Sequence, residues 1–324
     1  MVARRAPARP GAHAHADDRP TEVRLACVTL PGTSSLPASP AAPPVRRRPA
    51  PVLARVVRTQ RLTPRLARVV LGGPGMAPFE APLHADSYVK LGFAPPGPRP
   101  LGPDGRVDAD ALRAALPSGE EVRMRAYTVR AYDPATHQLT LDFVVHGDEG
   151  VAGPWAAQAQ PGDEVLVFGP GGAWSPDPTA DAHLLVGDAS ALPAVAVGLE
   201  ALPRDAVGLA VLEVHDADEE VAIDAPPGME VRWVHTGTGV PGVALVDAVR
   251  AWPWPTGRVC AFVHGEAGAV QELRAYLRAE LRVARADLSI SGYWRLGADD
   301  EGWRAAKKAW AARIEAAEAA AGLD

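Results

Sequence analysis

From Val52 onward, short runs rich in β-branched and aromatic residues follow one another at close intervals: VLARVVRTQRL, LARVVLGG, SYVKLGFA, VRMRAYTVRAY, QLTLDFVVH and DEVLVFGP. Gly, Pro and Asp turns separate them, so residues 51–176 are predicted to form a six-stranded antiparallel barrel. The stretch from Pro95 to Gly119 is too long and too proline-rich for a tight hairpin. It is predicted to loop out around a short helix at Asp108–Ala115. After Trp174 the texture changes. HLLVGDAS, VGLAVLEVH, VRWVHT and RVCAFVHGE read as buried strands, and ALPAVAVGLEAL, VALVDAVRAW and GAVQELRAYLRAEL between and after them read as helices. Such alternation predicts a parallel-sheet α/β domain over 177–298. Ligands of these sheets sit beyond the carboxyl ends of the strands, which places Gly187, Asp188, His235, Gly265 and Glu266 along one edge. The Ala-, Glu- and Lys-rich run DEGWRAAKKAWAARIEAAEAAA predicts a closing helix in 299–324.

Charge separates one further segment. Residues 1–50 hold eight Arg against Asp17, Asp18 and Glu22, a local balance of +5, so the rest of the chain carries −11 of the overall −6. That leader, broken by proline and without periodicity, is expected to be disordered. A body this acidic is a poor nucleic-acid surface, so no nucleic-acid partner is expected. The two cysteines, Cys27 and Cys260, form neither a disulfide framework nor a metal spacing. With no apolar stretch of about 18 residues and no secretion signal, a cytoplasmic monomer without membrane insertion and without a metal site is expected.

Two signatures carry the candidate chemistry. Arg125 and Tyr127, two apart on a predicted strand, share a face and can present a cation and an aromatic plate to one ligand, with the Thr128 hydroxyl beside them. About twenty residues later, HGDEGVAGPWA runs from a strand end at His146 through Gly147, Gly150 and Gly153 to Pro154, which can open a helix carrying Trp155 and Ala156. Small residues and unpaired helix N–H groups suit a pyrophosphate. An isoalloxazine needs an aromatic surface, a hydrogen-bonding group and cations for its phosphates, so the pair reads as a flavin cradle. There is no G-x-G-x-x-G after Gly187, so any nicotinamide is expected to bind loosely. The acidic pairs Asp299/Asp300 and Glu219/Glu220 read as solvated turns. Arg295, Arg304, Lys307 and Lys308 form a candidate cationic patch in an otherwise acidic body, two of them among only three lysines in the chain.

These motifs, in order, resemble the siderophore-interacting proteins, flavin-dependent ferric-siderophore reductases related to the ferredoxin reductases. RAYT, the HG…GPWA…PGDEV…FGPGG run, GDASALPAV, VHGEAGAVQELRAYL and GYWRLG…GWRAAKKAW span about Val52 to Ile314. The resemblance implies an FAD-binding barrel, an NAD(P)H-binding-like second domain, and NAD(P)H or reduced ferredoxin as electron donor. It further implies that Arg125, Ala126, Tyr127 and Thr128 hold the isoalloxazine and phosphate end of FAD. Val144, His146, Gly147, Gly153, Pro154, Trp155 and Ala156 would hold the pyrophosphate and adenosine side, Asp188 and Ser190 would lie near the nicotinamide cleft, and Arg295, Lys307 and Lys308 would meet a ferric siderophore. The flavin carries the chemistry, so no catalytic side chain is assigned. Relatives commonly read GDETALPA where this chain has Ala189 and Ser190, which keeps a hydroxyl and loses an acid. Leu296 stands where many relatives have a second basic residue, implying a less cationic substrate mouth. A flavin reductase serving another acceptor would share the cradle, and a non-catalytic siderophore carrier would have no need of it.

Overall fold

The computed structural model describes residues 49–148 and 150–323. The basic leader, with Cys27, lies outside them. The first sheet is built from β1 (Val52–Thr63), β2 (Leu66–Gly72), β3 (Tyr88–Phe93), β4 (Arg123–Thr128), β5 (Ala131–Asp133), β6 (Gln138–Val144) and β7 (Glu164–Gly171). Two short helices interrupt it, α1 (Ala109–Ala115) between β3 and β4 and α2 (Ala152–Gln158) between β6 and β7. Asp108 caps α1 by accepting from Asp110 N and Ala111 N, as its place before an Ala-rich run predicts.

The sheet is antiparallel, in the order β4-β3-β7-β1-β2-β6-β5, and curls around a core that includes Val52, Val69, Leu91, Leu141, Phe143 and Val167, with Ala152 and Ala156 of α2 and the following Ala159 packed into it. It therefore has seven strands rather than the six expected. The run VRMRAYTVRAY breaks in two at Val129 and Arg130. The Val129 N–H reaches back to Ser87 O at 2.7 Å, whereas the Arg130 N–H goes to Thr140 O at 3.0 Å. The backbone changes partner there, from β3 to β6, and cannot remain one strand.

The second sheet comprises β8 (Ala182–Asp188), β9 (Val207–Val214), β10 (Gly228–His235), β11 (Val259–Glu266) and β12 (Leu288–Trp294), with α3 (Leu192–Glu200), α4 (Val243–Arg250), α5 (Ala267–Ala275) and α6 (Asp300–Ala320). All its pairings are parallel and the order is β10-β9-β8-β11-β12, so the topological switch point lies between β8 and β11. The edge strand β12 was not anticipated. Its LSIS segment alternates as a strand should, but it runs directly into the GYWRLG motif, which dominates the reading of that stretch. Buried Trp303 and Trp310 seat α6 on one side of the sheet, and Arg274 of α5 closes on Glu318 with side chains 11% and 10% exposed.

Contacts at two corners help tie the lobes together. Arg130 binds both Glu200 oxygens at the end of α3. Glu219, expected in a solvated turn, is buried and accepts from Thr63 Oγ1 and, at 3.2 Å, from the Arg65 N–H at the tip of the β1–β2 hairpin. The sequence neighbours of an acid do not show which remote donors will surround it. Glu220 follows the expected pattern more closely, exposed and paired with His235 at 2.8 Å.

Candidate functional site: an aromatic cradle beside a clamped sheet edge

The Tyr127 ring lies tilted on Phe143 of β6 with centroids 4.2 Å apart; Phe143 in turn meets Trp155 of α2 at 5.7 Å, and Trp155 meets Phe93 at 5.4 Å. The two sequence signatures are thus joined through Phe143, which the motifs alone did not single out. Its position in LDFVVH, two residues from buried Leu141 on the same face, was the available signal. Tyr127 remains partly exposed, and burial pushes its phenol pKa up, so it presents an uncharged ring. Thr128 is buried opposite Tyr88 on β3.

Below this wall the chain turns through Gly147 and Gly150, with φ of 54° and 84°, and at neither would an added Cβ meet a heavy atom within 4 Å. His146 is exposed, and Gly153, Pro154 and Val144 are half-buried. Val151 supplies no side-chain cap to α2, so the first-turn N–H groups are uncapped. Ala156 faces the core and Ala126 faces outward. Partly exposed Tyr127 and Trp155 rings, a glycine turn with free space around it and uncapped N–H groups suit a flavin dinucleotide, so the residues present fit FAD. Arg125 is 11% exposed; its Nη1 lies 3.1 Å from Asp300 Oδ2 and its Nη2 2.9 Å from Glu301 Oε1. Asp300, expected in a solvated turn, instead opens α6 against β4. Asp299 caps that helix through the Gly302 N–H at 2.7 Å.

The carboxyl edge of the second sheet is held by buried acids. Asp188 Oδ1 accepts from the Ser190 N–H at 2.9 Å and the Ser190 hydroxyl at 2.5 Å, and Oδ2 accepts from the Glu266 N–H at 2.7 Å and Trp294 Nε1 at 2.6 Å. Burial pushes this carboxyl up and the four donors draw it back. Both oxygens are engaged within the protein, so Asp188 acts by holding Trp294, Ser190 and the Glu266 N–H in place. Glu266 caps α5 through Gly268 N and Ala269 N and accepts from Leu296 N at 3.1 Å. Together these acids fix the Trp294–Leu296 turn. Arg295 and Lys308 are exposed. Lys307 is half-buried, its pKa lowered by that burial, so the three cations do not share one open face. Among the described residues no group of three or more His, Cys, Asp and Glu is arranged to hold a metal, and no helix is long and apolar enough to cross a membrane.

Residues 55–174 match the siderophore-interacting FAD-binding domain, and residues 180–297 match the siderophore-interacting protein domain. An uncharacterized protein of Mycobacterium tuberculosis is 45% identical over 284 residues, covering 82% of this chain and 96% of its own length. The chain belongs to the siderophore-interacting protein family. As a member carrying that family's FAD-binding domain it is an FAD-dependent oxidoreductase. The ferric vibriobactin reductase ViuB of Vibrio cholerae is 34% identical over 265 residues, covering 78% of this chain and 92% of ViuB. The crystal structure of a siderophore utilization protein from T. fusca superimposes with a TM-score of 0.65 at 39% identity, over 77% of this chain and 94% of that one.

Proposed function

We propose that this siderophore-interacting protein reduces ferric siderophores, releasing iron(II) in the cytoplasm, where a pool of reduced pyridine nucleotide is at hand. The observation that carries the reading is the Tyr127–Phe143–Trp155 ring contact, in which buried Phe143 holds together the partly exposed rings of the two cofactor signatures. On this reading Arg125, Ala126, Tyr127 and Thr128 receive the isoalloxazine and phosphate end of FAD. The turn and helix from Val144 to Ala156, with His146, Gly147, Gly153, Pro154 and Trp155, receive the rest. FAD held there would accept electrons from the donor and pass them on singly to the iron. Asp188 and Ser190 support the cleft where NAD(P)H would deliver them, and exposed Arg295 and Lys308 draw in an anionic chelate.

The balance is simple. One NAD(P)H gives up two electrons and leaves NAD(P)+ and a proton, enough to take two iron(III) ions to iron(II). Iron(III) is gripped by hard oxygen ligands, and lowering its charge weakens that grip. Support for the substrate class comes from the relatives, among them the ferric vibriobactin reductase ViuB and an NADPH-dependent ferric-chelate reductase of Escherichia coli.

The test is an anaerobic assay of the full chain with FAD, NADH or NADPH, a ferric catecholate chelate and a colorimetric iron(II) trap. Iron(II) that appears at two per nucleotide consumed, and that is lost in Tyr127→Ala, is the expected result. Nucleotide oxidation with no iron(II) would instead indicate a flavin reductase serving another acceptor. A chain that binds the chelate and no FAD would be a carrier.

A further inference from the structure

Arg125 is the cation assigned above to a phosphate of FAD, yet its guanidinium already has acidic partners. Asp300 lies 3.1 Å from Nη1 and Glu301 lies 2.9 Å from Nη2, while Nη1 also donates to Met124 O at 2.9 Å. A guanidinium has five N–H donors but only one positive charge, and two carboxylates more than balance it. The other charges in this corner do not alter that. Arg304 of α6 sits 3.8 Å from Asp300 and donates to Met124 O at 3.3 Å, Arg123 acts on Glu301, and Asp299 adds a further acid. Cations and acids here are equal in number, so a phosphate brought to Arg125 meets no net attraction until an acid leaves.

The rest of α6 is anchored elsewhere. Trp303 and Trp310 are buried, Trp310 Nε1 bonds Gln271 at 3.0 Å, and Glu318 binds Arg274 at the far end. Asp300 and Glu301, which precede Trp303, can therefore give up their hold on β4 without undocking the helix.

We propose that Asp300 and Glu301 form a carboxylate latch that competes with the cofactor phosphate for Arg125. FAD affinity is then set by the opening turn of α6, and cofactor binding releases that turn from β4. This rests on the assignment of Arg125 to FAD. Linkage makes the effect reciprocal: whatever the latch subtracts from FAD affinity, FAD subtracts from the docking of the turn.

The experiment is hydrogen–deuterium exchange on the full chain with and without FAD, together with FAD titrations of the wild type, Asp300→Asn/Glu301→Gln and Arg125→Ala, each checked for its thermal transition. FAD should speed exchange of the amides around 301–304 while slowing those around 145–156. The double variant should bind FAD roughly three- to tenfold more tightly, the scale of two partly exposed ion pairs. Slower exchange at 301–304 on adding FAD, or a double variant that binds FAD no better than wild type, overturns the latch. If Arg125→Ala binds FAD as wild type does, the assignment of Arg125 itself fails, a result distinct from failure of the latch alone.

Discussion

Replacing His264 with Phe should make the protein markedly less sensitive to acid. His264 is 5% exposed near the end of β11, with its ring stacked on Phe262 at 3.9 Å and meeting the edge of Tyr293 at 5.0 Å. Nε2 is 3.1 Å from Ser289 Oγ, and Nδ1 has no hydrogen-bond partner among the described residues. Burial first, and the Lys307 ammonium second, bring the imidazole pKa down from 6.5 to about 3. The unfolded chain therefore takes up a proton below about pH 6.5 that the folded chain refuses until about pH 3. Stability from this group is complete above the unfolded value and is lost as pH falls toward the folded one. At about 1.4 kcal/mol per pH unit, pH 4.5 lies far enough below 6.5 to remove about 2 to 3 kcal/mol. A phenyl ring keeps the stacking and abolishes the titration. Urea unfolding followed by tryptophan fluorescence, for wild type and His264→Phe at pH 7 and 4.5, gives the difference directly, because every other titrating group is common to both. Wild type should lose about 2 to 3 kcal/mol more than the variant on acidification. Equal losses would refute the claim that this histidine is buried uncharged.

Asp188→Ala would orphan two backbone N–H groups, a hydroxyl and the Trp294 indole at once. A cost of about 3 to 5 kcal/mol is expected, with Asp188→Asn between it and wild type in thermal denaturation; a transition within a degree of wild type would contradict it. Gly208 opens the β8–β9 pairing with φ of 148°, and a Cβ there would come within 2.0 Å of His183 O. Because that neighbour is backbone, Gly208→Ala should lower the urea midpoint by the equivalent of about 3 kcal/mol or more, and an unchanged midpoint would count against the strand geometry.

Patterns with a short period were legible in the sequence and long-range partners were not. The β-rich runs of residues 52–171, the Asp108 cap and the strand–helix alternation after Trp174 report local backbone preference, so the barrel, the parallel sheet and α6 follow from them. The break at Val129 could not be read, because it depends on Ser87 and Thr140, both remote in sequence, each accepting one of two adjacent N–H groups. Tyr127 and Trp155 were singled out by their motifs, while Phe143, the ring that joins them, looked like any core residue. Asp300 and Glu219 misled for one reason: flanked by other acids they look solvated, and the cations and hydroxyls that hold them lie far away in sequence. Asp188 stood at the expected strand end, yet only the fold shows that Trp294 and Glu266 occupy its oxygens.

The grip of Glu219 on the β1–β2 hairpin, with the Arg130–Glu200 pair close to the cradle strand, has a kinetic corollary. Contacts at separate corners oppose a swing of one lobe against the other. On the function proposed above, donor, flavin and chelate then meet across a gap whose width is settled when the chain folds. Electron tunnelling weakens exponentially with distance, so such an enzyme would rank its chelates by how near each one's girth lets the iron come, and tightness of binding would be a poor guide to which chelate is emptied fastest.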